Sequence, residues 1–384
     1  MAKKTVALFL DGTWNTAESN TNVYRAKELV ASEAEGREQR VYYDHGLGTQ
    51  PFETFRGGVF GKGLRKNVIQ AYDWLSKNYE DGDDVFIFGF SRGAFTATSV
   101  TGMMMRWGLI RPDSHITSKE IFKLYETWDK RKPIYELEYL NRTDPEAITE
   151  GERAFLTQSR RIPIKMIGIW DSVATVGVPI GNFSRFSRNA LQFHNPRWSS
   201  TYEHFYHALA IDEHRKPFRS VILHHYINNG ASEAETQERR EKFQSRVEQR
   251  WFCGSHGDVG GGDNLPVVSA PFAWIMAKAA SHGLALEHIP QATQLEHTHA
   301  LGDSYKAFLK GLYRLVRFGK RYRREIGSPG RGVSGGWIEP IREVIDVSVF
   351  KRWQADTKYR PKNLIKALET RPCDPDSQDQ DFRL

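Results

Sequence analysis

Cysteine is nearly absent from this chain: 384 residues carry two, Cys253 and Cys373, the second in a polar stretch near the end. Two such residues make a disulfide framework unlikely and leave no cysteine-based zinc site. Long apolar runs are missing too. No stretch reaches the eighteen or more apolar residues of a membrane span, and the run Val6 to Leu10 ahead of Asp11 is too short for a signal peptide. These absences point to a cytoplasmic chain, with export through a secretion system left open. Charge of one sign is not in large excess either: a net +7 is mild for this length and favours anionic partners without naming one. Internal repeats are lacking. What is present, 39% hydrophobic and 26% charged residues with 32 glycines, is the composition of a globular protein long enough for one large α/β domain with insertions.

The organising stretch is Asp84-Val85-Phe86-Ile87-Phe88-Gly89-Phe90-Ser91-Arg92-Gly93-Ala94-Phe95. An apolar strand-like run breaks at Ser91 and resumes as a helical pattern, so G-x-S-x-G falls between strand and helix. That setting presents a serine hydroxyl on a tight turn, where a Cβ at either flanking glycine would collide with neighbouring backbone. Ser91 is the candidate nucleophile, against a buried turn serine as the plainer reading.

Around it the pattern alternates strand and helix. Strand one, Thr5 to Leu10, empties into Asp11-Gly12-Thr13-Trp14-Asn15; a helix is expected from about Asn22 to Ala34 and a strand at Arg40 to Tyr43. The glycine-rich segment from Phe55 to Arg65 lacks the order of a phosphate-binding loop and reads as a loop beside the site. Helices are expected from Leu64 to Tyr79 and from Ser91 to about Trp107, strands at Ile162 to Trp170, Ser220 to Tyr226 and Arg250 to Gly254, and a helix near Ala270 to Ala280. His204 to Ala210 reads as helix, and Val344 to Phe350 as strand or helix. The fold class is therefore α/β, an α/β-hydrolase-like, mostly parallel sheet with helices on both faces. Residues 1–370 read as one domain, with 111–160 and 178–205 as inserted cap or loop segments and 371–384 as a polar flexible tail. The run 310–325 is basic with interleaved apolar residues, which suits an amphipathic helix touching an anionic membrane surface. Nucleic acid is the weaker partner because no nucleic-acid motif accompanies the patch.

A serine nucleophile needs a base and a carboxylate to orient that base. The usual chain order in this architecture, serine, acid, histidine, favours Asp258 as the acid and holds Asp171 in reserve. His256, His297 and His299 are the candidate bases; His256 stands two residues from Asp258, too close for the two to point together easily. Backbone N–H of Arg92, with Gly12 or Thr13, would form the oxyanion hole, and Asp11 would support that loop.

Several ordered blocks together resemble the DUF2235 family of α/β-hydrolase domains, which includes the first family of type VI secretion lipase effectors. They are Asp11-Gly12-Thr13-Trp14-Asn15, Gly46 to Thr49, Gly57 to Tyr72, Gly89 to Ala94, Trp170-Asp171-Ser172-Val173, His207 to Asp212 and Asp258-Val259-Gly260-Gly261-Gly262. The resemblance implies a serine hydrolase acting on carboxylic esters, with phospholipids as its relatives' substrates, Ser91 as nucleophile, Asp258 as acid and no cofactor. Two departures stand out. The family's late block E-x-I-H-x-S-V reads Glu343-Val344-Ile345-Asp346-Val347-Ser348-Val349, so Asp346 occupies the place of the base, and Thr98 stands where relatives carry arginine. An aspartate is a weak base near neutral pH. Four readings follow: a displaced histidine supplies the base; Asp346 works in an acidic constellation; the fold is a degenerate binding protein; or Asp11, Asp171 and Asp258, joined by Asp346, hold Mg²⁺ or Ca²⁺ for metal-assisted phosphoester hydrolysis.

Overall fold

The computed structural model describes residues 3–12, 19–46, 57–127, 130–173, 201–227, 232–262, 268–293, 298–307, 318–328, 330–331 and 337–384. Thr13, His297, most of 178–205 and the first part of the basic run 310–325 lie outside them.

The apolar runs read from the sequence become the strands of one sheet. In chain order the strands are β1 (Thr5–Leu10), β2 (Glu33–Ala34), β3 (Arg37–Asp44), β4 (Asp84–Phe90), β5 (Leu109–Ile110), β6 (Ser159–Arg160), β7 (Ile164–Trp170), β8 (Tyr202–Ala210), β9 (His224–Ile227), β10 (Val247–Phe252), β11 (Gly330–Arg331), β12 (Trp337–Pro340), β13 (Glu343–Ile345) and β14 (Phe382–Arg383). Nine of them form a sheet in the order β14-β13-β10-β8-β7-β4-β1-β3-β2. Its interior pairings are parallel, and only the edge strands β2 and β14 run antiparallel to their neighbours. A parallel sheet must be covered on both faces, and the side-chain alternation of β1 and β4 divides accordingly. Val6, Leu8, Leu10, Val85 and Ile87 join the core beneath α2 (Gly57–Asn78) and α3 (Arg92–Trp107). Ala7, Phe9, Phe86, Phe88 and Phe90 join the opposite core, with α1 (Asn22–Leu29) and the helix Ser269–Ser281.

After β1 the chain crosses to β3 on one side of the sheet, and after β4 it crosses to β7 on the other. The carboxyl ends of β1 and β4 therefore flank a switch point, the place where open α/β sheets hold their ligands. Ser91 follows β4 there and Asp11 follows β1. The segment expected as a cap leaves and rejoins the body through the antiparallel pair β5–β6. Its helices α4 (Ser118–Glu126), α5 (Ile134–Thr143) and α6 (Glu150–Gln158) follow in turn, and α4 and α5 pack on α3.

Four expectations are corrected. His204 to Ala210 belongs to strand β8, because its alanines and leucine are buried between two covered faces where strand and helix patterns look alike. The glycines from Gly57 onward open α2 instead of a loop. Of the basic run, the described residues 318–325 are not helical. The polar tail ends in β14, which pairs with β13, and Leu384 packs into the core under the C-terminal helices.

Candidate active site

The turn after β4 is strained as a nucleophile elbow is. Ser91 has φ 56° and ψ −117°, a left-handed value that a non-glycine residue adopts only when its surroundings enforce it. Close packing enforces it here. A Cβ on Gly93 would stand 1.9 Å from the Leu10 carbonyl oxygen, and one on Gly89 would stand 2.7 Å from the Ala94 backbone. With glycine at both places, β4, the elbow and α3 press directly against the end of β1.

The Ser91 hydroxyl lies 2.8 Å from Nε2 of His256. His256 comes from the first position of the short helix His256–Gly260, reached by the turn after β10. Its Nδ1 lies 2.6 Å from Oδ2 of Asp171, the residue directly after β7. The imidazole is held between rings, 4.7 Å from Phe90 and 5.0 Å from Phe218, centroid to centroid. Asp171 is fully buried, and its two oxygens take the Ala210 N–H at 3.0 Å, the His256 ring and both terminal nitrogens of Arg324, one of them at 2.9 Å. Burial alone would raise the Asp171 carboxyl, but the Arg324 charge and the hydrogen bonds of His256 and Arg324 outweigh it and hold the group well below the usual carboxylate range. An ionised carboxylate only accepts, so Nδ1 carries the proton and Nε2 accepts from the Ser91 hydroxyl. Burial also lowers the His256 pKa, against the pull of Asp171, which favours the neutral ring a base requires.

The other candidates are placed elsewhere. Asp258, expected as the acid, turns back on its own loop: its Oδ2 accepts the N–H of Ser255 at 2.7 Å and of Gly302 at 3.2 Å. Asp346, at the expected place of a late base, caps the helix Val347–Ala355 through the Ser348 N–H at 2.9 Å and pairs with Arg250 at 3.0 Å. His299 is exposed, and its carbonyl accepts from Arg352. Asp11 takes the Gly12 N–H at 2.7 Å and the hydroxyls of Thr21 and Tyr43, so it shapes the loop after β1, and the Gly12 N–H points at that carboxylate. The metal reading needed Asp11, Asp171 and Asp258 in one donor set. Among the described residues no three of His, Cys, Asp and Glu gather in that way, and Arg324 holds a guanidinium where a cation would approach Asp171.

Two neighbours of the site, Glu213 and Arg324, are not among the candidates read from the sequence. Glu213, fully buried after β8, accepts from Arg215 at 2.9 and 2.7 Å, from the Ser304 hydroxyl and from the backbone N–H of His256. Arg324, read only as one of many basic residues, is buried instead of facing a membrane. The sequence signal for it is slight: Ile326 stands two residues on, the spacing that puts two side chains of an extended segment on one face, and it is buried with Arg324.

A mostly parallel sheet that carries a serine on a strand-to-helix elbow, against an imidazole backed by a carboxylate, is the arrangement of the α/β-hydrolase class. The chain belongs to the family described as "T6SS, Phospholipase effector Tle1-like, catalytic domain", whose model matches residues 4–278. It is similar to the uncharacterized protein YEL023C of Saccharomyces cerevisiae, 27% identical over 237 residues that cover 57% of this chain and 33% of the yeast protein. The match thus spans about a third of that relative's length. Among solved structures, an uncharacterized protein from Pseudomonas aeruginosa aligns with TM-score 0.44 at 15% identity, over 74% of this chain and 46% of that one. The Tle1 effector bound to the VgrG spike of the type 6 secretion system aligns with TM-score 0.32 at 16% identity, over 71% and 53%. Among the described residues no helix is long and apolar enough to cross a membrane.

Proposed function

We propose that this protein is a serine hydrolase of carboxylic esters, with glycerophospholipids as its substrate class. One observation carries the reading: Ser91 Oγ, His256 and Asp171 form a continuous hydrogen-bonded line at 2.8 and 2.6 Å. The membership of a phospholipase effector family supports the lipid ester as substrate.

In this reading His256 Nε2 takes the Ser91 proton as Oγ bonds to the ester carbonyl carbon. The resulting imidazolium is stabilised by Asp171, which stays ionised throughout. The oxyanion forms beside the N-terminus of α3, where backbone N–H groups, including that of Arg92, and the helix dipole favour negative charge. Collapse of the tetrahedral intermediate expels the alcohol, which takes the proton from Nε2 and leaves an acyl group on Ser91. Water, deprotonated by the same nitrogen, then releases the fatty acid. No cofactor enters these steps.

Vesicles of phosphatidylethanolamine and phosphatidylglycerol, and a short-chain nitrophenyl ester, test the reading. Wild type is expected to release fatty acid and nitrophenol, and Ser91→Ala to release neither above background. Equal release by the two proteins would sink it; release from the short ester alone would keep the esterase and reject the lipid.

A further inference from the structure

Arg324 is a feature of the site that the hydrolytic reading does not explain. It comes from a non-helical strap beyond the matched span, which ends at residue 278, and it is 1% exposed. The strap is fastened along its length. The Lys320 carbonyl accepts from the Tyr305 hydroxyl at 3.2 Å, and Arg321 pairs with Asp303 at 2.7 Å. Tyr322 exchanges contacts with His214, its N–H to the His214 carbonyl and its own carbonyl to Nδ1, both at 3.0 Å. Ile326 is buried in the core under the C-terminal helices, and the Gly327 N–H meets Glu343 at 2.9 Å. Between these anchors the guanidinium passes inward: its two terminal nitrogens take both oxygens of Asp171 and give their second protons to the carbonyls of Ala210 at 2.9 Å and Phe218 at 2.6 Å, while the buried Nε has no partner among the described residues.

We propose that Arg324 is a positioning residue of the hydrolase, which fixes the Asp171 carboxylate in the one orientation that serves His256 and so makes the C-terminal strap part of the active site. The inference rests on the Ser91, His256 and Asp171 reading above. A planar fork on two carboxylate oxygens, with a carbonyl on the second N–H of each terminal nitrogen, leaves the carboxylate no rotation. Lysine has neither the fork nor the reach to both oxygens.

The charge has a second effect. Asp171 and His256 titrate as a coupled pair, and a cation beside the pair disfavours its uptake of a further proton. The groups facing His256 are Ser91 and the Phe90 ring from the elbow, Asp171 from the end of β7, and Glu213, Arg215 and the Phe218 ring from the segment after β8. Asp258, on its own helix, is turned to Ser255 and Gly302. Arg324 acts on the ring only through Asp171, and its removal keeps the pair protonated to higher pH.

The test is the rate at which a fluorophosphonate labels Ser91 across pH 4 to 9 in the full chain, for wild type, Arg324→Lys and Arg324→Met, with circular dichroism as the check of folding. Arg324→Lys keeps the charge and loses the fork; its plateau rate is expected to fall on the order of tenfold, within the ~10²-fold that a 1 Å misplacement can cost, with little change in midpoint. For Arg324→Met the acid midpoint is expected about one unit higher, with a plateau no faster than that of Arg324→Lys. A folded Arg324→Met with wild-type plateau and midpoint overturns the proposal. If that variant does not fold, Arg324→Lys at the wild-type rate overturns it. Wild type unlabelled at Ser91 overturns the hydrolase reading and this inference with it.

Discussion

Asp171 takes hydrogen bonds from a ring nitrogen, a backbone N–H and a guanidinium, while Asp258 faces backbone N–H groups of its own and a neighbouring loop. Both follow strands, and only the surroundings tell an orienting carboxylate from a capping one. Asp171→Asn offers Nδ1 no charged acceptor, and labelling of Ser91 is expected to fall by about 10² to 10⁴. The loss for Asp258→Asn is expected to be at least about tenfold smaller. Comparable losses in the two variants would argue that Asp258, not Asp171, orients the base. The pH dependence has a fixed sign. A base works deprotonated, and burial lowers the His256 pKa from 6.5, so activity is expected to persist below pH 6.5 with its acid limb on that lower side. An acid midpoint above pH 6.5 in a rate profile of wild type would contradict it.

The elbow, β1 and the helix behind Asp346 show what single elements contribute. Gly93→Ala puts a Cβ where the Leu10 carbonyl already stands, 1.9 Å away. Backbone must move, and the cost is expected to be at least about 3 kcal/mol in urea unfolding. A loss under about 1 kcal/mol would mean that the elbow is looser than described. Asp346→Asn keeps an N-cap acceptor and removes the charge facing Arg250. Labelling at Ser91 is expected to stay within about threefold of wild type, whereas a base at Asp346 would require loss of about 10² or more. Much of this level could be read in advance. β1, β4 and α3 announce themselves because an apolar run, a glycine-flanked serine and a helical period fall in sequence. β8 did not, because a strand covered on both faces loses the alternation that marks a strand. The site was legible as a set of residues and not as a set of pairs. Ser91, Asp171 and His256 were all singled out, but residues 91, 171 and 256 meet only through the order of β4, β7, β8 and β10 in the sheet. Arg324 was hidden in a run of like residues, since burial of one arginine among several leaves little trace in composition.

At the scale of the whole molecule, buried titratable groups give the stability a shape in pH. Burial lowers His207 to about 3 and His282 to about 4, and it lowers His204, His214 and His256 as well. The unfolded chain protonates these rings more readily, so stability rises with pH up to about 6.5. Glu343 has the opposite sign. Its burial, against hydrogen bonds from Trp251 at 2.7 Å and Gly327, raises it to about 7, so the stability it contributes is full below the unfolded carboxylate range and is lost as pH climbs through 7. Asp212, raised by burial to about 6, withdraws its share over a lower window and blunts the rise. Urea midpoints are expected to rise through the histidine range and level off by about pH 8, with Glu343→Gln steepening the rise between about pH 4.5 and 7; an unchanged slope in that variant would count against a raised, buried Glu343. Arg324 joins the site to the C-terminal third of the chain, since it reaches Asp171 from outside residues 4–278. What the fold assembles at the switch point is, in the end, a serine whose reactivity depends on one imidazole. Fluorophosphonate labelling followed by peptide mapping, on wild type, Ser91→Ala and His256→Ala, measures that dependence directly. The expected result is a single adduct on Ser91 in wild type, none in Ser91→Ala, and a rate at least about 10²-fold lower in folded His256→Ala. An adduct on another residue, or His256→Ala labelling as fast as wild type, would contradict it.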